Sequence, residues 1–452
     1  MNKSTAGSAL FEGSFDKPII GRFTDADASS DGGVALLAAA AKRTGLFGVI
    51  AGVAQDPRDP TRVIHSQERL LATRALGLAA GYFDCSDSGD LRSDPMPRLG
   101  VGDRELDLPS QPTLSRFEHT PSAREVLTMG RRFESFVIDR LAQRYPDAKQ
   151  ITIDLDGTVD PAYGQQSFSS FNGYYGTNCL FPLLGFLTID ENSEQHLFAA
   201  RLRPGTSREP RVSVALIRRT VASLNRAFPR ANLVVRLDAG FAAPRLLDTL
   251  DELGVQYLVG FPENAVLKRM AAGHMVKAHK LACDMEGTCA VFGEGFYAAR
   301  SWSSQRRVAF KAEVVMFPGR LPRDNARFVV TNMTSKPHKI WAKYALRGDS
   351  ENRIKELKHE LAVGLTSCTS YVANQFRVLM SSMAYFLFQE LRLALAGTEL
   401  EKSQVMTLRM KLMKVAVMVR ESARRIVLDF PRSYPWQHLW RYAADRVGLI
   451  PA

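Results

Sequence analysis

The amino-acid sequence predicts an α/β fold: a mixed five-stranded sheet flanked by helices, with a helical region before it and a β-rich insertion inside it. Three observations carry this expectation. Between residues 151 and 261 the segments run as three strands, helix, strand, helix, strand. Two of those strands, in ITIDLDG and NLVVRLD, end in aspartate, and open α/β sheets gather their sites at the carboxyl ends of strands. Strand-like stretches then recur from residue 289 to 333, ahead of a charged helix.

Composition bounds the class. A chain of 452 residues exceeds one small core. With 45% hydrophobic and 23% charged residues it reads as an ordinary globular protein. No uncharged apolar run reaches membrane-span length, and the opening MNKSTAGSALFEGSFDKP lacks the apolar segment of a secretory signal. Five scattered cysteines (Cys85, Cys179, Cys283, Cys289, Cys368) fit reduced thiols in a cytoplasm. Lys and Arg number 59 against 47 Asp and Glu, a net charge of +12. Such an excess favours a polyanionic partner, because each phosphate contact releases condensed counterions; a solubilising basic surface is equally compatible.

In chain order, residues 1–120 read as a helical region for DNA binding or dimerisation. VALLAAAAKRTG (34–45) is rich in helix formers, and SQERLLATRALGLAAGY (66–82) opens on a capping Ser66 with Glu68 in its first turn. Arg62, Arg69 and Arg74 on these helices suit either a DNA groove or a dimerisation bundle. Residues 84–112, rich in Asp, Ser, Pro and Gly, read as loop.

The core begins over residues 121–261. A helix from Pro121-Ser122 to about Tyr145 lines up Val126, Phe133, Val137 and Leu141, and Pro146 stops it. ITIDLDG, NCLFPLLGFLTID (178–190) and HLFAARLRPG (196–205) are the three strands, the last two joined by the turn ENSEQ. Helix 212–228, strand 232–241, helix 244–253 and strand 255–261 complete two crossover units. Residues 262–335 form the β-rich insertion, with strands in 289–300, 306–317 and 326–333. Its His274, His279, Cys283 and Cys289 match no standard zinc spacing. The core resumes over 336–400, where the apolar helix 371–395 should bury itself on the sheet. The basic region 401–452 concentrates Arg409, Lys411, Lys414, Arg420, Arg424 and Arg425 against Glu421, a phosphate-contacting surface or simply a solvated helix face.

Strand alternation puts Thr152, Asp154 and Asp156 on one face. Asp-x-Asp-Gly-Thr resembles two chemistries: the nucleophile loop of haloacid-dehalogenase-type phosphatases, where aspartate attacks phosphorus, and the first strand of RNase H-like nucleases, where it holds metal. A dehalogenase-type fold alternates strand and helix from the start and needs Gly-Asp followed by a second Asp; after Gly348-Asp349 those places hold Arg353 and Ile354. Asp238 is either a site acid at a strand end or a turn-capping residue before Gly240. In YALRGDSENRIKELK, Arg347, Glu351 and Lys358 fall at about 300°, 340° and 320° around a helix relative to Tyr344. That is one narrow face, although Glu351 with Lys355 also permits a solvated i,i+4 pair.

The pattern Y-x2-R-x3-E-x6-K, together with DLDGTVDPAYGQQ, FNGYYGTNCLFPL and RLDAGF, resembles DDE transposases of bacterial insertion sequences. The likeness is to the IS-thirteen-eighty branch of the IS-four-like superfamily, over roughly residues 84–440. The resemblance implies an RNase H-like core whose catalytic acids are Asp156, Asp238 and Glu351, with Asp154 an extra carboxylate beside the first. It implies Mg²⁺, with Mn²⁺ able to substitute, held as a two-metal site for phosphoryl transfer. Tyr344, Arg347 and Lys358 would contact phosphates at the transposon end. Trp302, with Arg306 and Arg307 beside it, would stack on an extruded base, although a tryptophan between strands is more often core. Arg420, Arg424 and Arg425 would add DNA contacts. The implied partners are double-stranded DNA, as terminal inverted repeats and target, and a second copy in a synaptic homodimer, in the cytoplasm at the nucleoid. The competing readings are a metal-dependent nuclease without strand transfer and a DNA-binding relative that has lost catalysis.

Overall fold

A computed structural model of the chain describes residues 9–11, 19–21, 27–190, 194–206 and 210–449. The longest helices ahead of the sheet are α1 (Val34–Thr44), α2 (Gln67–Ala80) and α3 (Ala123–Arg144). Ser66 caps α2 by accepting from the Arg69 backbone N–H, as expected, and Gly81 closes it in a left-handed conformation. Ser122 and Glu125 form a reciprocal capping box on α3. The stretch read as loop holds the short helices Asp87–Asp90 and Pro95–Gly100. Asp94 caps the second and Pro95 occupies its first turn, so the proline starts a helix inside the stretch expected as loop.

The predicted order of core elements is present. Strands β1 (Gln150–Gly157), β2 (Leu183–Ile189) and β3 (Gln195–Arg201) form an antiparallel meander. Pro182 separates β2 from a small hairpin strand, Thr177–Leu180, with which the sequence had merged it. Helix α4 (Pro210–Ala227) leads to β4 (Asn232–Leu237), and α5 (Pro244–Glu252) leads to β5 (Gln256–Phe261). β4 lies parallel to both β1 and β5, giving the spatial order β3-β2-β1-β4-β5.

The sheet does not stop there. After α6 (Ala265–Asp284), a helix the sequence did not suggest, come β6 (Cys289–Tyr297), β7 (Arg306–Val315) and β8 (Arg323–Thr331). β8 pairs antiparallel with β5, Val330 opposite Val259, so the five-stranded sheet becomes eight-stranded. The strands expected as a separate insertion complete an otherwise open edge.

Helices α7 (Pro337–Ala345), α8 (Gly348–Glu360) and α9 (Tyr371–Ala394) follow. α9 is buried along nearly its whole length and packs against β3, α3 and α2. The N-terminal helices therefore share the main core with the sheet. Arg69 and Arg74, read as suiting either a DNA groove or a dimerisation bundle, are instead buried within the chain: Arg74 pairs with Glu118 at 2.8 Å, and Arg69 donates to the Leu106 and Asp107 carbonyls. The basic stretch after residue 409 is a short turn followed by an antiparallel hairpin, Val417–Ser422 with Arg425–Asp429. Among the described residues no helix is long and apolar enough to cross a membrane.

Candidate active site

Parallel pairing of β1 with β4 brings their carboxyl ends to the same edge. Asp156 and Asp238 emerge there, and α8 delivers Glu351 from far along the chain. All three line one cavity of about 770 Å³. Arg347, Arg203, Lys355, Lys358 and His359 share its wall.

One guanidinium ties two of the acids together. Arg347 donates to Asp156 Oδ2 and Glu351 Oε1, both at 2.9 Å. The other Asp156 oxygen accepts from the Gly157 N–H at 2.9 Å. Asp156 is only 8% exposed. Burial pushes its carboxyl up to about 6 against the pull of Arg347, and the negative charges of Asp238 and Glu351 add to the rise. Burial works against the Arg347 charge, but Asp156 and its neighbours outweigh it and hold the guanidinium above its ordinary value. Asp238 combines both readings made of it: it caps the turn Ala239–Phe241 through Gly240 N–H at 2.8 Å and lines the cavity.

The continuous helix expected over residues 344–358 is broken. α7 ends at Ala345 and α8 starts at Gly348, with Arg347 as the joint. The break lets Arg347 reach across to β1 while Tyr344 turns under the site. A Cβ on Gly260 would fall 2.4 Å from the Tyr344 hydroxyl, so β5 makes room for that ring with a glycine. Burial raises the Tyr344 pKa. Lys358 donates to the Val159 carbonyl at 2.8 Å, pinning α8 to the loop after β1.

Asp154 does not line the cavity. It is fully buried in a two-pronged ion pair with Arg236, at 2.6 and 2.7 Å, and Arg236 also donates to the Lys343 carbonyl at 2.7 Å. Its expected role beside the metal gives way to one inside the sheet. Arg236 escaped the sequence reading, yet a signal existed: R-x-D on β4 lies in register beside D-x-D on β1, Arg236 opposite Asp154. Arg203 was also missed and left no sequence signal; it donates to the Phe181 carbonyl at 3.1 Å, and burial lowers its pKa to about 10.

The remaining expected DNA contacts lie outside this cavity. Trp302 packs against Phe261 and Tyr297. Arg306 is buried in ion pairs with Asp248 and Asp251, both at 2.7 Å, which removes it from a phosphate-binding role. Arg307 is paired with Glu294 and with the Met333 and Ser335 carbonyls. Arg420 pairs with Asp429 at 2.5 Å, while Arg424 and Arg425 are exposed at the turn of the C-terminal hairpin. His279 pairs with Asp324 at 2.7 Å.

Among the described residues, no three His, Cys, Asp or Glu side chains are gathered around one point as the chain stands, with the Arg347 guanidinium bonded to both Asp156 and Glu351. Between Asp156 and Glu351, Arg347 supplies the positive charge. The donor set itself is purely carboxylate oxygen, the kind that suits Mg²⁺ or Mn²⁺.

No curated protein matches the chain. A solved structure described as a crystal structure of a pre-cleavage Mos1 transpososome aligns with 51% of this chain and 68% of its own, at 15% identity and a TM-score of 0.17. So weak a likeness carries no argument. The family described as transposase DDE domain group 1 matches residues 11–451, nearly the whole sequence, and the chain belongs to that DDE transposase family.

Proposed function

We propose that this chain is the transposase of an insertion sequence in the IS-thirteen-eighty branch, acting on terminal inverted repeats and target DNA. The observation that carries the reading is one cavity walled by Asp156, Asp238 and Glu351, with Arg347 joining the first and third. Asp156, Asp238 and Glu351 would hold Mg²⁺, which Mn²⁺ would replace. Bound there, the metal supplies positive charge to the attacking and leaving oxygens of a phosphodiester.

The chain's own residues do the rest. Arg347 balances the buried Asp156 and the exposed Glu351 carboxylates while the site waits, and its planar fork suits a DNA phosphate once those carboxylates have another partner. Lys358, Lys355 and Arg203 set fixed positive charge around the same cavity, positioning the backbone. Tyr344 props the joint between α7 and α8, so that Arg347 faces the scissile phosphate. Arg424 and Arg425 offer further phosphate contacts on the hairpin. Cleavage frees 3′-hydroxyls at the element ends, and these attack target DNA. Bringing two ends together calls for a homodimer, working at the nucleoid in the cytoplasm.

Purified protein with Mg²⁺ and DNA carrying the inverted repeats that flank the gene should nick at the repeat ends and join them to a plasmid target. Glu351→Ala should abolish cutting and keep end binding. Undiminished cutting by that variant refutes the acid assignment; nicking without joining leaves a nuclease.

A further inference from the structure

The small hairpin before β2 presents aromatic rings to solvent at the mouth of the acid-lined cavity. Its strands Ser170–Asn172 and Thr177–Leu180 pair antiparallel, and residues 173–176 form the tip. Phe171 is 60% exposed, Tyr174 87% and Tyr175 41%, and all three line the same cavity as Asp156, Asp238 and Glu351. Scattered exposed apolar residues need no explanation, but three large rings within five residues beside a catalytic cavity do.

The tip is held in place. Asn172 accepts from the Tyr174 N–H at 3.0 Å and donates to the Gly205 carbonyl at 2.8 Å, while Gly176 N–H returns to the Asn172 carbonyl at 2.9 Å. Gly205 lies so close under the hairpin that a Cβ there would sit 2.3 Å from the Cys179 carbonyl. The Tyr174 and Tyr175 rings meet edge-to-face at 4.9 Å, Tyr175 leans on Phe181 at 5.9 Å, and the Arg203 guanidinium covers Phe181 at 5.1 Å. The ring series therefore runs from the rim down to a cation near Asp156.

Two features name the occupant. Arg203, Lys355 and Lys358 give the wall the charge of a phosphate track. Asp156 is 8% exposed and lines the cavity past these rings, so a strand that reaches it enters alongside the hairpin, and a base that turns away from its partner there meets the rings first. Such bases then need π-faces to replace those of their neighbours, and aromatic rings beside a basic groove supply them without regard to sequence. We infer that this hairpin is a stacking platform for unpaired nucleobases, on which Phe171, Tyr174 and Tyr175 receive bases splayed from the DNA end. The inference rests on the DNA reading above and adds the form of DNA the site takes.

The test compares binding of fluorescein-labelled oligo(dT) and of a mixed-sequence duplex of the same length, by anisotropy with the full chain. Wild type should bind both. Tyr174→Ala and Phe171→Ala should each weaken oligo(dT) binding about tenfold and leave duplex binding unchanged, the loss of one stacked base. Tyr174→Phe should bind as wild type, because stacking needs the ring and not the hydroxyl. Unchanged oligo(dT) binding by the alanine variants, or equal losses on both probes, overturns the platform while the DNA reading stands. Failure of wild type to bind either probe overturns both.

Discussion

Replacing Arg236 with methionine isolates the buried ion pair behind the acid-lined cavity. Arg236 makes two charged hydrogen bonds to Asp154, at 2.6 and 2.7 Å, and a third to the Lys343 carbonyl at 2.7 Å. Asp154 has no solvent exposure, so it would be left as an uncompensated buried charge. Breaking such a pair from one side costs about 3–5 kcal/mol, whereas replacing both partners with apolar residues of similar volume is often neutral or stabilising. Arg236→Met should therefore be severely destabilised in urea unfolding. Asp154→Leu combined with Arg236→Met should recover most of that loss, less about 1 kcal/mol for the lost bond to Lys343. The single variant should also recover as pH falls, because an unpartnered buried carboxylate escapes the penalty by taking a proton. In the proposed cutting assay the same double variant should match wild type, since Asp154 does not line the cavity. A single variant losing under about 1 kcal/mol, or a double variant no better than the single, would refute the reasoning.

Other outcomes follow from the same geometry. Mg²⁺ affinity, measured by calorimetry, should fall as the pH is lowered through about 6, because Asp156 must release its proton to bind; a flat profile across that range counts against Asp156 as a ligand. Asp160 is raised from 3.8 to about 7 by burial, against the opposing effects of the Thr366 hydroxyl and the Lys358 charge. Its folded pKa lies above the unfolded one, so its stabilising contribution is full at low pH and lost as pH rises through about 7. Asp160→Asn should accordingly stabilise the protein above that pH by roughly 2–4 kcal/mol and lose the advantage near pH ~4, read from melting curves. Gly260→Ala would drive a methyl into the Tyr344 hydroxyl and the Ala239 backbone. It should lower cutting at least about tenfold while costing about 1–3 kcal/mol of stability; wild-type cutting would mean the Tyr344 contact is idle.

The core order was legible because each strand was bounded by its own punctuation: Pro146 before β1, Pro244 after β4, and Ser122 capping α3. That Asp156 and Asp238 share one edge was legible because parallel strands must end on the same side. Partners escaped where the informative neighbour lies across a strand and not along it, as with Arg236 beside Asp154. The break between α7 and α8 escaped because helical spacing alone sees Tyr344 and Glu351 on one face, and the glycine at 348 sits within an otherwise periodic stretch. Edge pairing escaped for a related reason: nothing local in ARFVVTNM says that β8 finds β5. The roles of Arg306 and Arg307 were misjudged because charge in a sequence carries no sign of whether Asp248 or Glu294 has already taken it.

The pairing of Ala28 and Ser29 with Met418 and Val417 has a consequence for how the protein comes off the ribosome. Gly33 is seated so tightly against the 412–413 backbone that a Cβ would lie 2.0 Å from the Leu412 carbonyl. The segment at residues 28–33 therefore waits until residues 412–418 have been made. Contacts of such sequence separation form slowly, because the chain between them must be ordered first. Until then Ala28, Ser29 and Gly33 lack their partners, although Asp156, Asp238 and Glu351 have already been made. A chain lacking residues 412–418 would leave that N-terminal segment unpaired, with the exposed strand edge that promotes aggregation.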